Sequence, residues 1–546
     1  MLLTPARAEQ RGRPAATASP QLSTGPVATG PQRSHVNAAL ATLPVLVTLV
    51  LLALGVRALY AALAALTTAA VLTATAFRTP LGELGDAHLR MLPTVVELAA
   101  ILFGGILLSE LMARTGAQAR MGEWLGGACS SPGRAVLLVT LGVTPFAESL
   151  TGFGIGVIVA IPLLRRLGLP PARAAAAGLL GLVTVPWGSL APGSLVAGEL
   201  GDVGFRRLGV DSALLSAPVF LICGAAALAV GLGVRRALAA AGDLAIAVTT
   251  LWATVWAVDA YVGVPPAGVL GGLVTMAVLL LVSRLRERSG GGGEPVGRAL
   301  SPYGFLVAGL LLSRAAPAAA GITEGWWTVA AGPAGWLPLT AVLAPRLLGA
   351  GEPVLAGAAR AAFGRWWQVA LTTVVFLALG TLLTVTGMSR EIAGACASLG
   401  SSYLFLAPWI GAVGGFLAGS NTGANAMFAA GQAETARALG HSAAHLVAVQ
   451  NVSAALASGA AAARVALAAQ LAENAPGPAS VRPGAEPVPA GAPGAGGTAT
   501  RELTAAPAVV QAPADTPVDT RWVLRTVLGV HALVFLTTGV IGVLWG

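Results

Sequence analysis

The chain has no lysine. Its 32 basic residues are all arginine, and charged residues of any kind make up only 10% of its 546 positions. A soluble domain carries about 25%, so the scarcity of charge excludes an ordinary soluble protein. The net charge of +9 does not point to nucleic acid, because the arginines fall in gaps between apolar runs, where they report membrane topology. The missing lysine, beside heavy Ala and Gly usage, reads as composition bias and carries no functional meaning. Cysteine is rare: Cys129, Cys223 and Cys396 stand alone, without the spacing of a disulfide framework or a metal site. Of five histidines only His441 and His445 are close together, and no HExxH context makes them zinc ligands. A P-loop is absent, which argues against an ATP-driven pump. No cofactor or metal is expected, and no converging His, Asp and Cys residues suggest an enzyme.

What the chain has in abundance is apolar length. It is 55% hydrophobic with a mean hydropathy of +0.78, and runs of about 20 apolar residues, enough to cross a bilayer as a helix, recur along it. The reading is an all-α, polytopic, multi-pass membrane protein. Spans are expected near 36–54, 57–77, 94–113, 174–193, 213–233, 238–258, 264–283, 301–320, 326–345, 366–386, 443–464 and 526–544. Residues 1–35 are rich in Pro, Ser, Thr and Arg. They are expected to be disordered, and they lack the apolar core of a signal peptide. Ser289–Gly297 reads as a flexible linker, and 473–520 as a Pro/Ala/Gly-rich disordered loop.

Two segments resist this scheme, 134–165 and 402–433. Each is too long for one span and short for two, with small turn-forming residues near its middle. A re-entrant hairpin fits, and irregular backbone at membrane depth survives only where protein or a water-filled cavity surrounds it. Arg114, Arg120, Arg134, Arg165, Arg166 and Arg173 flank the first segment, but only Arg390 and Arg437 flank the second. The first hairpin therefore opens to the cytoplasm, with the loops around Arg284–Arg298 and Arg346–Arg365, and the second opens outside. This count places the N-terminus outside despite its arginines, unless one span before residue 94 is miscounted.

A shift of 271 residues lays Thr115-Gly116 on Thr386-Gly387 and Ser149-Leu150-Thr151-Gly152 on Ser420-Asn421-Thr422-Gly423. It also carries the first, second, third and fourth spans close to the eighth, ninth, tenth and eleventh. Seven spans separate matching elements, and an odd number turns the second copy upside down. The expected organisation is a first inverted repeat at 36–233, connecting helices and a linker at 234–300, and a second repeat at 301–544. Inverted repeats with interrupted helices meeting near the midplane are the architecture of secondary transporters.

The hairpin tips carry the polar chemistry. Half-helix N-termini offer free N–H groups to an anion, while opened carbonyls and hydroxyls suit a cation. The candidate substrate-binding residues are Ser149, Thr151, Gly152 and Gly154 at the first tip, Ser420, Asn421, Thr422 and Asn425 at the second, and Asn451 on the helix that follows. The competing reading is close packing of small residues between helices. Glu148 is the candidate for proton or cation coupling, since a carboxylate inside an apolar stretch marks an ion pathway. Its competing reading is a helix N-terminus or an arginine partner. Glu97, Glu110, Asp259 and Glu324 are weaker candidates. The helices after the hairpins are expected to break at Val185-Pro186-Trp187-Gly188-Ser189 and Ala191-Pro192-Gly193-Ser194, and around Gln450-Asn451-Val452-Ser453. Together they would enclose a polar cavity fit for a small anion.

These stretches resemble the L-lactate permease family. The likeness runs over FAESLTGFG, LGLPPARAAAAGLL and VPWGSLAP, then GGFLAGSNTGANAMFAAGQ, the Gln450-Asn451 helix and the C-terminal RWVLRTVLGVHALVFLTTGVIG. Against the family's F-x-E-G-A-A-G-F-G, Glu148 and Gly152-Phe153-Gly154 are kept while Ser149-Leu150-Thr151 differ. Against G-S-D-T-S-S-N, Gly419, Ser420, Thr422 and Asn425 are kept and Asn421 replaces Asp. The family's G-K-M-I-S-P-Q run is absent, its place taken by an Ala-rich segment ending near Arg464. The resemblance implies a proton-coupled symporter for lactate or a related 2-hydroxy monocarboxylate in the plasma (inner) membrane, with elevator-type tip movement. The Ser-Asn-Thr tip is also similar to sodium-coupled dicarboxylate carriers, so Na+ is the alternative to H+ as coupling ion. From other classes, an enzyme or a structural bundle would leave the matched polar tips unexplained. The expected partners are a small organic anion and the lipid bilayer. The residues fix no oligomeric state, which leaves a homo-oligomer open.

Overall fold

The structure, a computed structural model, describes residues 31–126, 129, 131–152, 154–287, 297–319, 332–351, 353–475, 477 and 517–545. The tail 1–30, the linker 288–296, Glu324 and most of the long loop before the last span lie outside the described residues. Every regular element among the described residues is a helix. Nine of these helices are long and apolar enough to cross a membrane, or ten if the bent pair Ala443–Gly459 and Ala462–Asn474 counts as one span. The expected spans at 301–320 and 326–345 correspond to Gly297–Ala319 and Pro333–Leu348. Leucines and valines such as Leu46, Val50, Leu536 and Val540 stand exposed on the outer helices, as a lipid-facing wall requires.

The element series of the first half recurs in the second. The long helix Leu81–Arg114 is followed by the short helix Ala117–Gly126, and Pro353–Val385 by Met388–Ala397. Both short helices begin and end 271 residues apart, and each follows a Thr-Gly turn whose glycine has positive φ (70° at Gly116, 77° at Gly387). Packing between the halves is reciprocal. Ala58–Thr75 packs on Pro353–Val385, and its counterpart Pro333–Leu348 packs on Leu81–Arg114. The two long helices also touch each other, with Trp366 Nε1 donating to the Ala99 carbonyl at 2.8 Å.

Each half then folds into a hairpin. The first enters through Pro132–Leu137, a π-helical turn Leu138–Val143 and Thr144–Thr151, and leaves through Ile155–Arg166. The π turn precedes Pro145, which has no N–H to donate, and Thr144 Oγ1 closes it by donating to Val139 O at 2.7 Å. Gly152 (φ 63°) and Gly154 (φ 82°) reverse the chain in a backbone region that favours glycine. The second hairpin runs through Ser402–Ala418 and Asn421–Ala438, with Gly419 at φ 59°.

These bounds correct the expected ones. The first hairpin covers 132–166 and its entering arm of 20 residues is itself long and apolar enough to cross a membrane. The second covers 402–438, because polar residues that end the apolar run remain helical. Among them, Glu434 accepts from Arg437 at 3.0 Å, and Arg437 also donates to the Gly201 carbonyl at 2.9 Å. The second broken helix is corrected too. Gln450–Ser453 lie inside the continuous helix Ala443–Gly459, and the break falls at Ala460–Ala461 with a 42° bend.

The hairpin bases lie at opposite ends of the bundle. Arg134, where the first hairpin begins, donates to Asp243 at 3.2 Å, and Arg286 joins them at 3.3 Å. Arg437, where the second ends, meets Gly201 and Asp202. Between Asp202 and Asp243 runs the helix Phe205–Leu232 of 28 residues, about 40 Å at 1.5 Å per residue.

Candidate functional site: a cavity between two unlike hairpin tips

At the first tip the carboxylate of Glu148 turns back onto the helix that leaves the hairpin. Its Oε1 accepts from the Gly154 N–H and its Oε2 from the Gly156 N–H, both at 3.2 Å. Those N–H groups open Ile155–Arg166 and have no partner within the helix. The helix end therefore holds the negative charge, and Gly156 allows the approach: a Cβ there would sit 2.9 Å from the Thr144 carbonyl and 3.2 Å from Glu148 Cβ. Ser149 and Thr151 face the protein. Ser149 donates to Thr184 Oγ1 at 3.3 Å, Thr151 to the Ala147 carbonyl at 2.6 Å, and both are buried.

The second tip has no acid. Ser420 is its N-cap, accepting from the Gly423 N–H at 3.3 Å, and Gly419, sequence partner of Glu148, has no side chain to offer. Behind the tip lies a buried amide network. Asn421 and Asn425 both donate to Asn451 Oδ1 at 2.9 Å. Asn451 donates in turn to Ser194 Oγ at 2.9 Å and Ser212 Oγ at 3.2 Å, and Asn425 to the Gly193 carbonyl at 3.0 Å. The network ties the second tip to the broken helix of the first half. That helix stops at Leu180, passes through a 3-10 turn at Val185–Leu190 and restarts at Pro192. Leu190 (φ 63°) and Ala191 (φ 79°) are consecutive non-glycine residues in the left-handed region, the kind of strain that collects at functional sites. Ser194 donating to the Pro186 carbonyl at 2.6 Å and Trp187 Nε1 donating to both oxygens of buried Asp259 at 3.1–3.2 Å hold the turn in place.

Between the tips opens a cavity of about 440 Å³. Glu148 and Gly152 line it from the first tip, and Gly419, Ser420, Asn421, Thr422 and Gly423 from the second. Val185, Gly188, Pro192 and Gly193 come from the broken helix, and Trp367, Gln368, Thr372, Thr373 and Phe376 from the long helix Pro353–Val385. Of the residues singled out in the sequence, Glu148, Gly152, Ser420, Asn421 and Thr422 reach the cavity, whereas Ser149, Thr151, Gly154, Asn425 and Asn451 stand behind it. Glu97, Glu110 and Asp259 do not line the cavity. Glu110 pairs with Arg114 and Arg365 at 2.8 and 3.1 Å, and Asp259 holds Trp187. His441 and His445 border a separate cavity with Arg207 and Asp211, and no metal-holding cluster of three His, Cys, Asp or Glu occurs among the described residues.

Sequence reasoning passed over two charged lining residues, Arg57 before the helix Ala58–Thr75 and Arg464 at the restart of the second broken helix. The repeat offset carries Arg464 onto Gly193, which gives the signal that would have found it. Packing follows the same exchange. Pro192–Gly201 lies against the second hairpin, and Ala462–Asn474 against the first.

Membrane-crossing helices around a cavity that carries polar and charged residues in its wall, with a helix break from each half beside it, form the build of a membrane transport protein. The family model for L-lactate permease matches residues 37–326 and 358–474. The chain belongs to that family. A curated relative from Streptococcus iniae, described as L-lactate permease, is 24% identical over 344 residues, which cover 56% of this chain and 70% of the relative.

Proposed function

We propose that this chain is a secondary active symporter of the plasma (inner) membrane that takes up lactate or a related 2-hydroxy monocarboxylate with a proton. The observation that carries this reading is the single cavity shared by both tips, with Glu148 on one side and an uncharged helix N-terminus on the other. The amides that open Asn421–Ala438 favour an anion, and the hydroxyls of Ser420 and Thr422 suit the 2-hydroxyl. Glu148 carries the proton. A bound anion and an ionised Glu148 repel each other, so proton and anion favour one another's binding by linkage. Tip movement then exposes the loaded cavity to one side at a time.

Purified protein in liposomes tests the proposal. Lactate should accumulate under an inward proton gradient with sodium absent. Uptake driven by sodium alone would replace the proton, and uptake under neither gradient would sink the proposal. Glu148→Gln should abolish proton-driven accumulation while lactate exchange, which needs no net proton movement, persists. Accumulation that survives in this variant would remove Glu148 from the coupling role.

A further inference from the structure

Arg464 and Glu148 border the same cavity from different halves of the chain and interact electrostatically across it. They do not close on each other as an ion pair. The Glu148 carboxylate is held by the Gly154 and Gly156 amides. Among the described residues Arg464 makes one hydrogen bond, from Nη1 to Ser458 Oγ at 3.3 Å, out of five available donors. A half-buried guanidinium with most of its donors unused is costly unless an anion meets it. Arg57 also borders the cavity, but it is exposed and its charge is screened.

We propose that Arg464 is the carboxylate anchor of this cavity, and that it selects substrates with one carboxylate. The inference rests on the cavity being the transport site. With its proton on Glu148 and a monocarboxylate on Arg464, the charges at the first tip balance. Among the described residues that line the cavity, no further buried cation is left to meet a second carboxylate, so a dicarboxylate is disfavoured. Arginine's planar fork accepts a carboxylate in two parallel hydrogen bonds. The counterpart position is Gly193, packed against Asn421, where no such charge fits: a Cβ at Gly193 would lie 2.5 Å from Asn421 Nδ2.

The test separates binding from transport. Detergent-purified full-length protein is heated with lactate, propionate, malate or neutral lactamide, and the concentration dependence of the unfolding midpoint gives each affinity. The monocarboxylates should stabilise the wild type, malate less, and lactamide not at all. Arg464→Gln should weaken lactate at least about tenfold, the loss expected for a charged hydrogen-bond donor, and Arg57→Gln should weaken it less. Arg464→Lys keeps the charge without the fork and should fall between. If Arg464→Gln does not fold, the lysine variant decides: wild-type lactate affinity in it overturns the proposal. So does unchanged affinity in Arg464→Gln, a larger loss in Arg57→Gln, or a wild type that no carboxylate stabilises. Arg464-dependent binding without lactate uptake in liposomes would uphold the anchor and sink the transport reading.

Discussion

The two hairpin tips share a backbone plan and differ in charge. At the first, the helix start is occupied by the protein's own acid, Glu148, and Arg464 reaches in from the other half of the chain. At the second, a serine caps the helix start, and the neighbour contributed by the other half is Gly193, with no side chain. Duplication supplies two helix N-termini facing one cavity. The copies differ at two positions, Glu148 against Gly419 and Gly193 against Arg464, and under the proposed function the first tip couples the proton while the second shapes the site.

Variants of the second tip should damage the fold before they damage coupling, the reverse of what is expected for Glu148→Gln. The largest effect is expected from Asn451→Ala, which takes the acceptor of the Asn421 amide and the donor to the Ser212 hydroxyl, while Asn425 and Ser194 keep the Gly193 and Pro186 carbonyls. Each unpaired buried group costs about 1–3 kcal/mol, and the unfolding midpoint and expression level should both drop. A folded Asn451→Ala that loses only proton coupling would break the comparison. Gly193→Ala comes next. Its methyl pushes into the Asn421 amide, an overpacking cost of about 1–3 kcal/mol, with lactate KM raised and coupling stoichiometry intact. An unchanged KM in that variant would show that the second tip does not contact substrate through this wall. Ser420→Ala is the mildest. Losing the N-cap costs about 1 kcal/mol, visible as a small fall in the midpoint, and a fall in coupling ratio would contradict the division of labour.

Much of this was legible in the residues because bilayer physics simplifies the reading. Apolar runs about one bilayer long appear as helices close to where hydropathy puts them, and positive-φ glycines mark the reversals at Gly152, Gly154 and Gly419. The hairpin ends were harder. Glu434 and Arg437 are helical beyond the apolar run, because they pair with each other and with Gly201. The second helix break was misplaced for a similar reason: Gln450 and Asn451 look like breakers locally, yet Asn451 satisfies its polar groups on Ser194 and Ser212, so the backbone there can stay helical.

By itself, then, the sequence determined the class of protein, the two hairpins and the acid at the first tip, because each depends on residues close together in the chain. Which polar residues face the cavity was decided by the tertiary structure alone. Helical phase turns Ser149 toward Thr184, Thr151 uses its hydroxyl on the Ala147 carbonyl, and Glu148 reaches the opening. Arg464 comes to border the same cavity as Glu148 only because the second broken helix packs on the first hairpin, which brings together residues more than 300 positions apart that no local pattern links.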